Sequence, residues 1–380
     1  MKIAINCRML IPDKLEGIGW FIYETAVRMI EDHPGDIFIL VFDRKPPNDL
    51  LDYPNVVKKW SRPQARHPIL YKIWFDFMLP GMLRKAGADI FVSCDGFAST
   101  RLKIPTYLVI HDLAYIHYPE YIPSFQLRYY RKNVPRFIEA ADGLGTVSKS
   151  SKNDLIKNFD LEPDAIDIIP NGCRPVFRPL SKQEKSGVYR EWNFHQPYFI
   201  YTGAVHPRKN LVNIIRAYNH FRFRSKFDHS LVIVGRKAWM FDLFEKELTN
   251  SPFKKQIHLT GYLEDEPLAR LLGASSGLIY PSLFEGFGVP LLEAMHAEVP
   301  VITSRISSMP EVAGKAALLV DPRNPQDIGK AMYELARSPE LCDDLVKKGK
   351  RQRKKFDWYQ SAEQLYKNIE RTFLEFGAGD

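Results

Sequence analysis

Residues Tyr280 to Met295 read YPSLFEGFGVPLLEAM, a composition suited to holding a polyhydroxylated ligand. Glu285 and Glu293 are separated by seven residues and flank a loop carrying Gly286 and Gly288. Carboxylates accept hydrogen bonds from vicinal hydroxyls, and glycines let main-chain amides approach the same ligand. A buried strand is expected to end at Ser282, and Pro290 stands where a first helical position should be. Glu293 then falls in the first turn of that helix, where on its own it could serve only to complement the helix dipole.

A second segment, Gly203-Ala204-Val205-His206-Pro207-Arg208-Lys209-Asn210, leaves a strand and enters a helix. Cations at a helix start oppose the dipole, so an Arg–Lys pair there calls for an anion. A diphosphate fits, with Arg as a planar fork and Lys as a point charge; a solvated charge pair is the alternative. A third segment, Glu16-Gly17-Ile18-Gly19-Trp20-Phe21, follows the first strand and opens a helix. Gly17 and Gly19 could admit an anion or a sugar hydroxyl to the helix amides. The third glycine of the dinucleotide fingerprint is missing, so a plain tight turn competes with that reading.

The elements that must position these residues alternate along the chain. Strands are expected at Lys2–Asn6, Ile37–Asp43, Asp89–Ser93, Thr106–His111, Gly143–Val147 and Ala165–Ile169, with helices at Gly19–Glu31, Ile69–Lys85, Ser124–Ala140 and Lys149–Asn158. The strands are nearly continuous apolar runs, as in a parallel sheet covered by helices on both faces. A second series has strands at Tyr198–Ala204, Ser230–Gly235, Gln256–Gly261, Gly277–Pro281, Pro300–Thr303 and Ala316–Val320. Its helices are expected at Asn210–Phe223, Phe241–Thr249, Asp265–Leu272, Pro290–Ala297 and Pro325–Arg337. The fold class is therefore α/β, two doubly wound Rossmann-like domains in tandem, 1–175 and 198–357. The Pro-rich, charged stretch 176–197 reads as the linker, and 358–380 as a final helix packing back on the N-terminal domain. Ligands of open α/β sheets bind beyond the carboxyl ends of the strands, so the two domains are expected to face a common cleft.

Composition bounds the function. At 380 residues the chain is long enough for two cores, and 45% hydrophobic with 26% charged residues is a globular balance. No apolar run approaches a bilayer span and no secretory leader is visible, so a cytoplasmic protein is expected. Cys7, Cys94, Cys173 and Cys342 are too scattered for a zinc site or a disulfide framework and read as small apolar residues. The net charge of +8 suggests anionic partners. Between Lys58 and Lys85 seven Lys or Arg and one acid are interleaved with aromatics. That stretch could rest on an anionic membrane, at the inner face of the cell membrane, or be a buried helix with its cations toward solvent. The run KKGKRQRKK from Lys347 reads as a solvated helix face, and no motif for specific nucleic-acid binding appears.

The ordered set of these motifs resembles the retaining glycosyltransferase family 4, which has the GT-B fold. It comprises the GIG loop, His111-Asp112, Thr146-Val147-Ser148, Pro170-Asn171-Gly172, Gly203 with Arg208-Lys209, Glu285 with Glu293, and Ser308-Met309-Pro310-Glu311. The stretch HDLAYIHYPEYIP is similar to bacterial mannosyltransferases of cell-surface polysaccharide assembly. The resemblance implies a nucleotide-diphosphate sugar donor, with GDP-mannose first, and a glycan or lipid-linked glycan acceptor on the N-terminal side. Glu285 would bind the donor sugar's hydroxyls with the amides of Phe287, Gly288 and Val289, and Glu293 the ribose. Arg208 and Lys209 would hold the diphosphate and stabilise the leaving group. Gly203, Arg236, Gly261 and Leu263 would line the nucleotide, His111 would sit against the reacting sugar, and Gly17 and Gly19 would approach the phosphate or acceptor. No cofactor and no metal are implied: there is no DxD, and Glu264-Asp265-Glu266 and Asp343-Asp344 read as exposed helix starts or faces. Retention would proceed by front-face departure, with the leaving diphosphate helping to take the acceptor's proton. Two departures from the family are His296-Ala297-Glu298, where a helix usually ends on glycine, and Ser307-Ser308, where a glycine often stands; neither is expected to touch the chemistry. Competing readings are an epimerase and a silent sugar-nucleotide-binding protein on the same fold.

Overall fold

The computed structural model describes residues 1–11, 15–236 and 242–378. Contacts divide the chain into two units, Met1–Asn171 with Trp358–Asp380, and Gly172–Asp357. The first holds strands β1 (Lys2–Asn6), β2 (Ile37–Phe42), β3 (Val56–Trp60), β4 (Ile90–Ser93), β5 (Thr106–Ile110), β6 (Gly143–Thr146) and β7 (Ile166–Ile168). They form one parallel sheet in the order β3-β2-β1-β4-β5-β6-β7. The second unit holds β8 (Tyr198–Thr202), β9 (Ser230–Val234), β10 (Ile257–Gly261), β11 (Gly277–Tyr280), β12 (Val301–Ser304) and β13 (Ala317–Val320). Its parallel order is β10-β9-β8-β11-β12-β13, so both sheets reverse direction beside their first strand.

Burial follows from that topology. The inner strands β4, β5, β8, β9, β11 and β12 are buried on both faces, which is why they read as unbroken apolar runs. The edge strand β3 carries Lys58, Lys59 and an exposed Trp60, and this mixture concealed it within the basic stretch. The supposed linker 176–197 lies in the second unit and contains a helix, Lys182–Glu191. Ser181 and Glu184 close a capping box at its start; with Val188 as its one buried residue, it has almost no apolar period to detect. Two further helices, Met309–Ala313 and Pro339–Gln352, were not anticipated as separate elements. The start expected at Phe241 lies outside the described residues, and the helix there is described over Asp242–Asn250.

The helix Trp358–Ala378 belongs to the first unit and packs beside Gly17–Asp32 and strands β4 to β6. Its buried Asn368 donates to the Tyr107 hydroxyl at 3.2 Å, Ser361 Oγ donates to the Pro170 carbonyl at 2.6 Å, and Tyr366 stacks on His33 with ring centroids 3.4 Å apart.

Candidate functional site

The charged residues of the second unit meet beside its topological switch point, between β8 and β11. Pro207 opens a short turn, Pro207–Lys209, in which His206 Nδ1 accepts the Arg208 amide at 3.2 Å. Asn210 ends the turn with φ of 69°, and its buried amide donates to the carbonyls of Pro281 at 2.9 Å and Pro322 at 2.6 Å. The Leu283 amide in turn donates to the Arg208 carbonyl at 2.9 Å. The loop after β8 is thereby stitched to the loop after β11, and Arg208 and Lys209 are brought to Glu285.

Glu285 Oε1 receives Lys209 Nζ at 2.6 Å and the Tyr280 hydroxyl at 3.0 Å, while Oε2 lies 3.8 Å from Arg208 Nη1. Lys209 also donates to Tyr280 at 2.7 Å, so ammonium, phenol and carboxylate form a closed triangle. Arg208 Nη1 donates to the Phe284 carbonyl at 3.2 Å. The anion that the Arg–Lys pair required is thus present within the protein. Burial works to raise the Glu285 carboxyl, but Lys209 and Arg208 outweigh it and hold its pKa below the ordinary value. Burial pushes the Tyr280 hydroxyl well up, beside that carboxylate, so it stays a neutral donor.

Two serines fix the Glu285 backbone. Ser307 Oγ accepts the Glu285 amide at 3.1 Å and donates to its carbonyl at 2.6 Å; the buried Ser308 Oγ contacts the carbonyls of Glu285 and Phe287, both at 2.9 Å. Ser307-Ser308, which replaces a position where glycine often stands, thus holds the backbone of the loop that carries Glu285. Ser307 adopts φ of 59°, the left-handed region where glycine is usual, and its hydroxyl supplies bonds that glycine could not. Gly288, at φ of 103°, sits in backbone that strains any side chain, and a Cβ there would also displace Met309 Cε. Phe287 is buried with its ring edge-on to Phe356, and Val289 begins the helix Val289–His296.

Glu293 is not in the first turn, because that helix begins one residue before Pro290 and places the carboxylate in the second turn. A dipole role is thereby removed. Its partner is Arg174, which the sequence reading missed: Arg174 Nη2 donates to Glu293 Oε1 at 2.6 Å, and Nη1 pairs with Asp265. Burial raises the Glu293 carboxyl and Arg174 opposes it, the net direction being upward. Asp265 does open its helix, as expected, with its side chain 37% exposed, and it is also paired with Arg174.

The other departure behaves similarly. Glu298 adopts φ of 58°, and its carboxylate meets Lys350 at 2.8 Å and Arg353 at 4.0 Å. Arg353 also donates to the Met295 and His296 carbonyls, at 3.0 and 3.1 Å, and so caps the helix carrying Glu293. Part of the basic run is therefore structural, and Gln352 within it is buried. Glu298→Gly should exceed Glu298→Ala in stability by about 1 kcal/mol, because both lose the ion pairs but only glycine relieves the left-handed strain. Denaturant midpoints of the two variants, with equal slopes, check this.

The remaining nucleotide-lining candidates come from neighbouring strand ends. Gly203 and Gly235 have φ of 133° and 150°, and a Cβ on Gly235 would lie 1.9 Å from the Gly203 carbonyl oxygen. Gly261 accepts the Gly235 amide at 2.8 Å, and the Arg236 carbonyl accepts from Val205 at 2.9 Å. Leu263 is half-buried just before the helix Asp265–Gly273.

In the first unit, Gly17 opens the helix Gly17–Asp32 and Gly19 is buried in its first turn. His111 follows β5, with Nε2 2.8 Å from the Cys94 carbonyl and its ring edge-on to Phe21. Burial lowers its pKa, favouring the neutral ring. Asp112 Oδ1 accepts the Ala114 amide at 3.0 Å, a turn-forming role. Sequence reasoning overlooked a buried network at the switch point between β1 and β4. There Asn6 donates to Ser93 and Asp95 at 3.0 and 2.9 Å, and Arg8 pairs with Asp95 with its guanidinium over Phe97 at 4.4 Å.

Comparison with known proteins places both units. Residues 15–176 match the family description "Glycosyltransferase Family 4" and residues 188–352 match "Glycosyl transferases group 1". The chain is 30% identical over 249 residues to O-antigen chain mannosyltransferase B of Escherichia coli, covering 65% of each chain. It is 25% identical over 288 residues to O-antigen chain mannosyltransferase RfbU of Salmonella typhimurium, covering 76% of each. The fold is similar to sucrose-phosphate synthase from Thermosynechococcus elongatus, with TM-score 0.78 and 18% identity over 98% of this chain and 99% of that one.

Proposed function

The chain belongs to the glycosyltransferases of family 4, and from that membership we propose that it moves mannose from GDP-mannose to a glycan or lipid-linked glycan during assembly of a cell-surface polysaccharide. The observation that carries the reading is the convergence of Arg208, Lys209 and Tyr280 on the Glu285 carboxylate at a switch point. Mannose and a polysaccharide product are taken from the names of the relatives, O-antigen chain mannosyltransferases.

In this proposal Glu285 and the amides of Phe287, Gly288 and Val289 bind the hexose, and Glu293 binds the ribose. Arg208 and Lys209 hold the diphosphate and stabilise the charge that grows on it, preorganised by the turn that anchors them. They supply the positive charge a metal would otherwise give. Gly203, Arg236, Gly261 and Leu263 line the nucleotide. His111, kept neutral by burial, acts on the sugar as a polar group, and Gly17 and Gly19 approach the phosphate or acceptor. Departure and attack occur on one face of the sugar, with the leaving diphosphate taking the acceptor's proton.

No helix among the described residues is long and apolar enough to cross a membrane. The stretch Pro68–Ala86 supports surface contact instead. Its inner face buries Tyr71, Trp74, Phe75, Leu79 and Leu83, while Ile69, Ile73, Phe77 and Met78 stay exposed beside basic residues. We propose that this face rests on anionic lipid.

Incubation with GDP-mannose and a lipid-linked glycan, followed by NMR of the product, tests the reading. An α-linked mannose is expected. Transfer only from another nucleotide sugar corrects the donor, an inverted linkage or a trapped glycosyl-enzyme sinks the front-face route, and absence of any transfer sinks the enzyme's assignment. Co-sedimentation with vesicles containing phosphatidylglycerol, but not with purely zwitterionic ones, is expected of the wild type and should be lost in Ile69→Glu/Phe77→Glu.

A further inference from the structure

Arg174 lies on the strap that enters the second unit, three residues beyond Asn171, and reaches two different helices. Its guanidinium holds Glu293 on the helix Val289–His296 through one nitrogen and Asp265 in the first turn of Asp265–Gly273 through another. The side chains of Arg174 and Glu293 are 11% and 6% exposed, so this ion pair is largely withdrawn from water. The Arg174 guanidinium also lies over the Phe177 ring, 4.9 Å from its centroid, which fixes the strap side of the arrangement.

A buried carboxylate with no cation would take up a proton, which turns one of its oxygens into a donor and removes the charge that strengthens the bonds it accepts from a vicinal pair of hydroxyls. Asp265 would add to that tendency, since it is a second negative charge facing Glu293. Arg174 offsets one of these two negative charges and bonds both carboxylates at once. It also ties Glu293 to the helix that follows the segment 261–264.

We propose that Arg174 is the positioning residue for nucleoside recognition: it keeps Glu293 ionised and aimed, so that the carboxylate discriminates for ribose hydroxyls. This rests on the reading of Glu293 as the ribose ligand. Arg174 itself does not touch the nucleotide in this scheme, and its effect passes through one carboxylate. The consequence is a selective loss: without Arg174, affinity for a ribonucleotide falls while affinity for one lacking the hydroxyls does not.

The experiment is calorimetric titration of wild type, Arg174→Ala, Arg174→Lys and Glu293→Gln with GDP and with 2′,3′-dideoxy-GDP, or with the UDP or ADP pair if the wild type binds one of those instead. Wild type should prefer the ribonucleotide about tenfold or more, the worth of one charge-assisted hydrogen bond. Glu293→Gln and Arg174→Ala should each bring that preference close to one, with dideoxy affinity unchanged, and Arg174→Lys should restore part of it. If wild type itself shows no preference, the ribose reading of Glu293 fails. If wild type discriminates, Glu293→Gln does not, and Arg174→Ala still does, the positioning role alone is overturned. Equal weakening of both ligands in Arg174→Ala makes Arg174 merely structural, which also overturns it. Should Arg174→Ala not fold, Arg174→Gln, which keeps one donor without the charge, is read by the same ratio.

Discussion

Glu285→Gln should lower kcat by about 10²–10³-fold, the scale of one preorganised polar group lost from a reacting centre. It should leave nucleoside diphosphate affinity unchanged or raised. The sign of the second effect follows from the ion pairs: Lys209 at 2.6 Å and Arg208 at 3.8 Å share the one negative charge of Glu285, and an uncharged amide leaves both more positive toward phosphate. The first follows from the lost acceptor, because one end of the amide can only donate toward a sugar hydroxyl. Steady-state rates and calorimetric titration check the two separately; a parallel loss of binding and rate would mean that the loop has collapsed. The pH dependence of stability gives a third readout. The Glu285 pKa is depressed in the fold, so its contribution is present above the unfolded value of about 4.3 and is lost as pH falls through the folded value. Denaturant midpoints between pH 7 and pH 3 should therefore fall less steeply in Glu285→Gln than in wild type.

Arg208→Ala should weaken binding of whichever of GDP, UDP, ADP and dTDP the wild type binds by about 10²-fold, as a charged hydrogen-bond donor to phosphate is removed. Lys209→Ala should behave differently. It strips the closest cation from a carboxylate whose side chain is 8% exposed, so about 3 kcal/mol of stability should be lost along with activity. Calorimetry on the folded variants and thermal melts separate the two. Retained nucleotide binding in Arg208→Ala would remove the diphosphate role from this turn.

The sequence disclosed the two sheets because their inner strands are buried on both faces, and such strands announce themselves as apolar runs. It disclosed Arg208, Lys209, Glu285 and Glu293 because glycines and prolines mark the turns that carry them. What it hid were side chains whose partners are remote along the chain. Arg174 meets Glu293 and Asp265 from far away in sequence, at a position read as the end of the first domain just before the supposed linker. Asp95 engages Asn6 and Arg8 across β1 and β4, a pairing that requires the strand order to be known. The serines at 307 and 308 looked like drift away from glycine, yet their hydroxyls hold the backbone of the loop that carries Glu285. Local pattern cannot reveal a hydrogen bond that crosses a sheet.

The return of Trp358–Ala378 to the first unit makes the second unit an insertion within the first. A chain emerging from the ribosome would therefore finish its middle before its beginning. Strand β6 would wait with Gly143 uncovered until Thr372, whose hydroxyl lies 2.3 Å from where a Cβ on that glycine would be, had been synthesised. Nascent chains stalled before residue 358 should accordingly show a protease-resistant second unit beside a first unit that is still cleavable.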